Sequence, residues 1–334
     1  MKNKFRLLLF LLFSSFLLPA QKPVKPNAAD LHQAIKKLNV LGSVLYVAAH
    51  PDDENQRLIS YCANEKLYDV TYLSLTRGDG GQNLIGPELR ELLGVLRTEE
   101  LLMARSVDGG RQRFTRANDF GYSKTPDETL RLWNKDEVLS DVVWAMRQVR
   151  PDVVINRFYH DKKYDTHGHH TSSAMLSVEA FDLAGKADAY PEQLKYTKPW
   201  QPGRIFFNTS WWFYGSREAF DKADKTNLYP LDLGVYLPLK GKSNSEIAAE
   251  ARSMHRCQGF GSLGLHAKVR LFPARWDWGL AFILQVGIPL QSGPSNFAGD
   301  PGVTLWPMLA LEYRPHPRVR LDLNLGYRAR INRD

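Results

Sequence analysis

The sequence predicts an α/β protein: one domain built on a mostly parallel sheet, then a short antiparallel β-rich C-terminal segment. Three observations lead there. Residues 44–49, VLYVAA, are small and β-branched apolar residues stopped by His50 and Pro51, the pattern of a strand buried on both faces. Comparable runs at 70–76, 152–156 and 204–208 alternate with helix-like stretches, and that rhythm makes parallel sheets with right-handed crossovers. From 319 to 331 the odd positions read Val, Leu, Leu, Leu, Tyr, Ala and Ile against Arg, Asp, Asn, Gly, Arg and Arg, the period of a strand with one apolar face.

Taken in order, residues 30–38 form an amphipathic helix after a Pro-containing linker, 43–49 the first strand and 53–66 a helix. The second strand, 70–76, runs into Arg77, Gly78, Asp79, Gly80 and Gly81, where glycine lets the backbone approach a ligand. Residues 87–105 are good helix formers, and 106–135, rich in Gly, Asp and Arg, read mainly as loop. A helix follows at 136–149, a strand at 152–156, a helix at 171–184 and a strand at 204–208. Ser210 to Tyr214 bring two Trp, a Phe and a Tyr together, as core or as the wall of a sugar cleft. Ser243 and Glu246 make a capping box that opens a helix reaching about residue 256. Beyond Ser262 the strand candidates are 263–272, 278–288, 303–313 and 319–331.

Lys2, Lys4 and Arg6 precede an apolar run from Leu7 to Leu18 and then Ala20, which predicts a signal peptide over 1–20 and an exported protein: periplasmic, outer-membrane-associated or secreted. Residues 21–40 are the linker and first helix, 41–262 the domain built on the parallel sheet and 263–334 the β-rich segment. The last resembles a piece of an outer-membrane barrel, although four strands do not close one. A separate module, a fusion and a truncated barrel end all remain open, and association with an outer membrane is one implied partner. The formal charge of +8 does not point to nucleic acid. Three cations in 1–20 and a surplus of four in 263–334 leave +1 for residues 21–262. Cys62 and Cys257 show no metal-type spacing and read as unpaired core residues.

The chemistry concentrates in two stretches. His50, Asp52, Asp53 and Glu54 follow the first strand within five residues, and so many carboxylates beside an imidazole call for a compensating cation. His167 and His170, 117 and 120 residues after His50, stand at a helix start with the i, i+3 spacing that aims two side chains into one cavity. Two histidines and a carboxylate with open positions suit a hydrolytic Zn²⁺ site, or a ferrous one.

Together, AHPDDE after a strand, TRGDGG after the next, the Arg97/Glu100 pair on a helix and the HGHH stretch resemble the PIG-L or LmbE-like family of metal-dependent de-N-acetylases, over about residues 40–261. The resemblance implies a Rossmann-like three-layer domain and zinc-dependent hydrolysis of the N-acetyl group of an amino sugar or glycoconjugate, Fe²⁺ or another divalent metal being an alternative. Carried over residue by residue, His50, Asp53 and His170 bind the metal, and Asp52 takes a proton from the attacking water. His167 stabilises the oxyanion or returns the proton, and Arg97 and Asp119 contact substrate. One departure stands out: His169 occupies a position where many bacterial relatives have Asp, which leaves the partner of His167 to be found, Asp165 being a candidate. The competing readings are an exported non-catalytic carbohydrate-binding protein and a hydrolase of another amide or ester.

Overall fold

The computed structural model describes residues 26–84, 86–161, 166–258, 262–272, 278–289, 303–316, 319–327 and 329–331. The leader at 1–20 and Asp165 lie outside them. The chain divides between Asn39 and Val40. In the first part helix α1 (Ala28–Lys37) opens on a capping box. The Asn27 side chain accepts from the Asp30 N–H, and the Asp30 carboxylate accepts from the Asn27 N–H.

In the second part five parallel strands make the central sheet. They are β1 (Ser43–Ala48), β2 (Asp69–Ser74), β3 (Arg111–Phe114), β4 (Val153–Asn156) and β5 (Arg204–Phe207), in the order β3-β2-β1-β4-β5. β1 is central, which is why its apolar run is unbroken. Leu45 and Val47 face one layer with Leu73 and Val154, while Val44, Tyr46 and Ala48 face the other with Val70 and Tyr72. The helices are α2 (Gln56–Ser60), α3 (Glu91–Asp108), α4 (Pro126–Leu132), α5 (Lys135–Val149) and α6 (Gly168–Ala184). Val142, Val143 and Met146 of α5 and Leu176 and Ala180 of α6 cover the first face; Leu58, Ile59 and Leu101 from α2 and α3 help to cover the second. Helices on both faces of a parallel sheet are the three layers expected.

Two expectations are corrected in this region. The stretch 106–135 contains β3 and α4 as well as loop. β3, RQRF, pairs only with β2 at the sheet edge and needs no apolar run. α4 is announced by Thr125, whose side chain caps the Glu128 N–H with Pro126 behind it, a start signal within the loop-like composition. The helix after β1 begins at Gln56 rather than 53, capped by Asn55, and ends in a π turn, Tyr61–Glu65.

After the short helix α7 (Arg217–Lys222), strands β6 (Tyr236–Leu237) and β7 (Lys242–Ser243) form a hairpin, and α8 (Asn244–Arg252) carries the expected Ser243/Glu246 capping box. The β-rich end is an antiparallel sheet of β8 (Ser262–Phe272), β9 (Trp278–Pro289), β10 (Val303–His316) and β11 (Val319–Gly326), with β12 (Ala329–Ile331) also on β10. The single strand expected over 319–331 is divided in two. The break lies opposite Pro307, which has no N–H to donate; its carbonyl accepts from the Tyr327 N–H. Among the described residues no helix is long and apolar enough to cross a membrane.

Arg147, fully buried on α5, ties the far end of α6 to the chain after it. Its guanidinium donates to the carbonyls of Ala184, Lys186, Ala189 and Tyr190 and to Gln193 Oε1, at 2.7 to 3.2 Å. Arg147→Met keeps most of the volume and strips five acceptors of their donor. The expected loss, read from urea unfolding of the full chain, is about 3 kcal/mol or more.

Candidate metal centre

The sheet order places the chemistry. β1 leads to β2 on one side and pairs with β4 on the other, so the connections leave the carboxyl ends of β1 and β4 in opposite directions and open a crevice. The HPDDE turn hangs from β1, and β4 leads to the HGHH start of α6. Two motifs far apart in sequence thereby meet at one edge.

The turn is held tightly. The His50 N–H donates to Asp53 Oδ2 at 2.7 Å, the Asp53 N–H to the His50 carbonyl at 3.3 Å, and the buried Tyr72 hydroxyl to the same carbonyl. Arg157, just past β4, donates to the Asp53 carbonyl at 3.0 Å, and Arg252 to the Asp52 carbonyl at 3.1 Å. His50 Nδ1 then lies 3.1 Å from Asp53 Oδ2, and His170 Nε2 3.4 Å from Asp53 Oδ1. One ligand atom from each of His50, Asp53 and His170 falls within 4.8 Å of the others. Donors about 2.0–2.1 Å from a tetrahedral ion stand about 3.4 Å apart, so this borderline-hard N₂O set fits a divalent transition metal. The His170 ring is stacked on Phe158, centroids 3.8 Å apart and planes 4° from parallel, which fixes its direction. Burial opposes charge on these groups, yet the pairing prevails: His170 and His50 hold Asp53 well below the usual carboxylate range, and Asp53 raises His50.

Asp52 points elsewhere. Its Oδ1 lies 2.9 Å from the Arg97 guanidinium; burial pushes its pKa up, but Arg97 and then Arg252 bring it below the ordinary value. Arg97 is only 2% exposed and also donates to the Gly78 carbonyl. The glycines of TRGDGG answer to this side chain: a Cβ at Gly78 or Gly81 would come within 2.5 or 2.2 Å of Arg97 Nη1. Glu100, one turn on, takes the Cys257 N–H and thiol, both at 2.8 Å, and Cys257 and Cys62 are buried and unpaired.

Asp119, 6% exposed, accepts the Gly121 N–H and stands 4.0 Å from His50 Nε2 and 3.8 Å from His169 Nδ1. Arg97 and Asp119, which the resemblance places at substrate, both border the centre. His167 caps α6: Nδ1 faces the His169 N–H and Nε2 the Ser123 N–H, each at 3.1 Å. A neutral imidazole accepts at one nitrogen only. Two facing donors leave no place for an added proton, and burial with neighbouring His170 and His50 pushes the ring down to about 4.

Residues 45–181 match the family model described as PIG-L, GlcNAc-PI de-N-acetylase. Residues 45–181 are thus similar to the PIG-L family. A 1D-myo-inositol 2-acetamido-2-deoxy-alpha-D-glucopyranoside deacetylase of Geodermatophilus obscurus is 32% identical over 169 residues, 45% of this chain and 56% of that protein. The chain spans little more than half the length of the curated relatives it matches, 52 to 60% among them. The structure is also similar to N,N'-diacetylchitobiose deacetylase from Pyrococcus horikoshii, with TM-score 0.47 and 16% identity over 71% of this chain and 82% of that one. Against 4-carboxy-2-hydroxymuconate hydratase of Pseudomonas putida the TM-score is 0.44 and the identity 18%, over 65% and 79%.

The chain also contains a buried network that reading the sequence missed. Glu54 Oε1 accepts from Gln56 at 2.9 Å, lies 2.7 Å from His255 Nε2 and 3.5 Å from Arg105, which is itself paired with Asp108. Glu54 was visible as the end of HPDDE. Nothing in the run around His255 announced a partner 201 residues back. Arg157 was likewise unmarked, because its contact with the ligand turn is through backbone.

Proposed function

We propose that the chain is a divalent-metal-dependent hydrolase, zinc being the first candidate, that removes the N-acetyl group from an amino sugar or glycoconjugate. The observation that carries this reading is the convergence of His50, Asp53 and His170 beside Asp52, within a domain whose family and curated relatives are de-N-acetylases. The site suits the cation by donor type and spacing, and His50, Asp53 and His170 would hold it. Bound there, a divalent cation acts as a Lewis acid on the acetamide carbonyl and makes water acidic enough for a carboxylate to deprotonate.

The chain's own residues do the rest. Asp52 is kept ionised by Arg97, with Oδ1 engaged and Oδ2 left to take the proton of the attacking water. As the C–N bond breaks, Asp52 returns that proton to the amine nitrogen, and acetate and the free amine leave. His167, its ring nitrogens facing backbone N–H groups, is placed as the neutral wall of the pocket in which the carbonyl oxygen gains charge. The reading includes export directed by residues 1–20.

The test is amine release by the full chain from N-acetylglucosamine glycosides and N-acetylglucosaminyl inositol, with zinc, ferrous or cobalt ion supplied. Turnover that a chelator removes and metal restores is expected. Bound metal with no turnover on any N-acyl amino sugar would make the protein a binding module. Arg97 supplies a further check. Arg97→Met leaves Asp52 half-buried without its counter-ion, and kcat/KM is expected to fall by about 10–100-fold with metal content unchanged. Lysine should not restore it, because the guanidinium reaches both Asp52 and the Gly78 carbonyl.

A further inference from the structure

His50 has two ring nitrogens with different surroundings. Nδ1 faces Asp53 at 3.1 Å, the side on which the proposed cation belongs, and Nε2 faces His169 Nδ1 at 3.0 Å. A neutral imidazole carries one proton. If Nδ1 gives its lone pair to a cation, Nε2 holds the proton and needs an acceptor. Asp119 Oδ2, at 4.0 Å, is beyond hydrogen-bond reach, whereas His169 is within it.

His169 is built for that single contact. Its side chain is fully buried, its ring centroid 4.4 Å from that of Phe120 and 4.9 Å from that of Trp133, and its Nε2 has no hydrogen-bond partner among the described residues. The aromatic neighbours hold the ring, and only Nδ1 is engaged. We infer that His169 is the positioning residue of this centre: its Nδ1 accepts the His50 Nε2–H, fixing the tautomer and the plane in which His50 presents Nδ1. This role rests on the metal-dependent reading above.

The nitrogens of His50, His167 and His169 also gather within 4.8 Å, which would suit a ligand set of three histidines. Both nitrogens of His167 are turned to backbone N–H groups, however, so a third lone pair is not free. His169 therefore serves the ligand His50 and is not itself a ligand.

The experiment compares the full chain with His169→Phe and His169→Asn. Zinc affinity is measured by competition with a chromophoric chelator, zinc stoichiometry by elemental analysis, and unfolding of the metal-free proteins by heat. For phenylalanine, which keeps a flat ring and lacks the acceptor, affinity is expected to drop by about 10–100-fold with metal-free unfolding little changed. Asparagine places a carbonyl oxygen near the position of Nδ1 and should restore most of the affinity. Wild-type affinity in the phenylalanine variant overturns the role. So does an equal loss in both variants together with earlier unfolding, which would mean packing alone. Two zinc equivalents in the wild type against one in His169→Phe would make His169 a ligand instead. A wild-type chain that takes up no divalent ion overturns the metal reading itself, and this role with it.

Discussion

Asp52→Asn is expected to keep its metal and to lose amine release by roughly 10²–10⁴-fold, the usual worth of a positioned general base. The two adjacent aspartates separate cleanly: Asp53 is turned to His50 and His170, while Asp52 is turned to Arg97. An amide in place of the Asp52 carboxylate therefore leaves the donor set intact and removes only the group that takes a proton. Metal content by elemental analysis and amine release by a fluorogenic amine reagent, on the same preparation, read the two effects independently. Full activity in the Asp52→Asn variant excludes Asp52 as base, and loss of metal from it would mean the roles of the two aspartates are reversed.

The second large effect is expected at His170. His170→Ala removes one of three donors and should lower metal affinity by more than the 10–100-fold that loss of an outer partner costs, with amine release falling to background. The control is favourable, because His170 is partly exposed and its main packing contact is the stack on Phe158, so the metal-free fold should persist. Chelator competition and thermal unfolding without metal make the comparison. An alanine variant that binds zinc as the wild type does would remove His170 from the centre and leave His50 and Asp53 needing another third donor.

Much of this architecture can be read before any coordinates, and the reason differs from element to element. β1 is legible because a central parallel strand is buried on both faces and must be apolar throughout; β3 is not, because an edge strand of four residues with two arginines carries no such demand. The HPDDE turn and the His167/His170 pair are legible because each is local: a strand end followed by acids, and two imidazoles one helical turn apart. What those residues touch is not local. Arg97 reaches back to Asp52 across 45 positions, and Glu54 meets His255 across 201. The neighbour of the glycine-rich turn likewise shows only in the fold, where Arg97 lies against Gly78 and Gly81.

From the order of amino acids alone come the alternation of strand and helix, the antiparallel end segment, and the types of side chain available for an N₂O metal site. These follow from burial periodicity and donor chemistry, which are properties of short stretches. Only the tertiary structure decided that His50, Asp53 and His170 share one crevice, that Arg97 holds Asp52, and that His169 lies against His50. The first and last of these depend on β1 and β4 pairing side by side, a contact that brings residues more than a hundred positions apart within hydrogen-bond distance; the Arg97–Asp52 pair depends on α3 returning to the turn after β1.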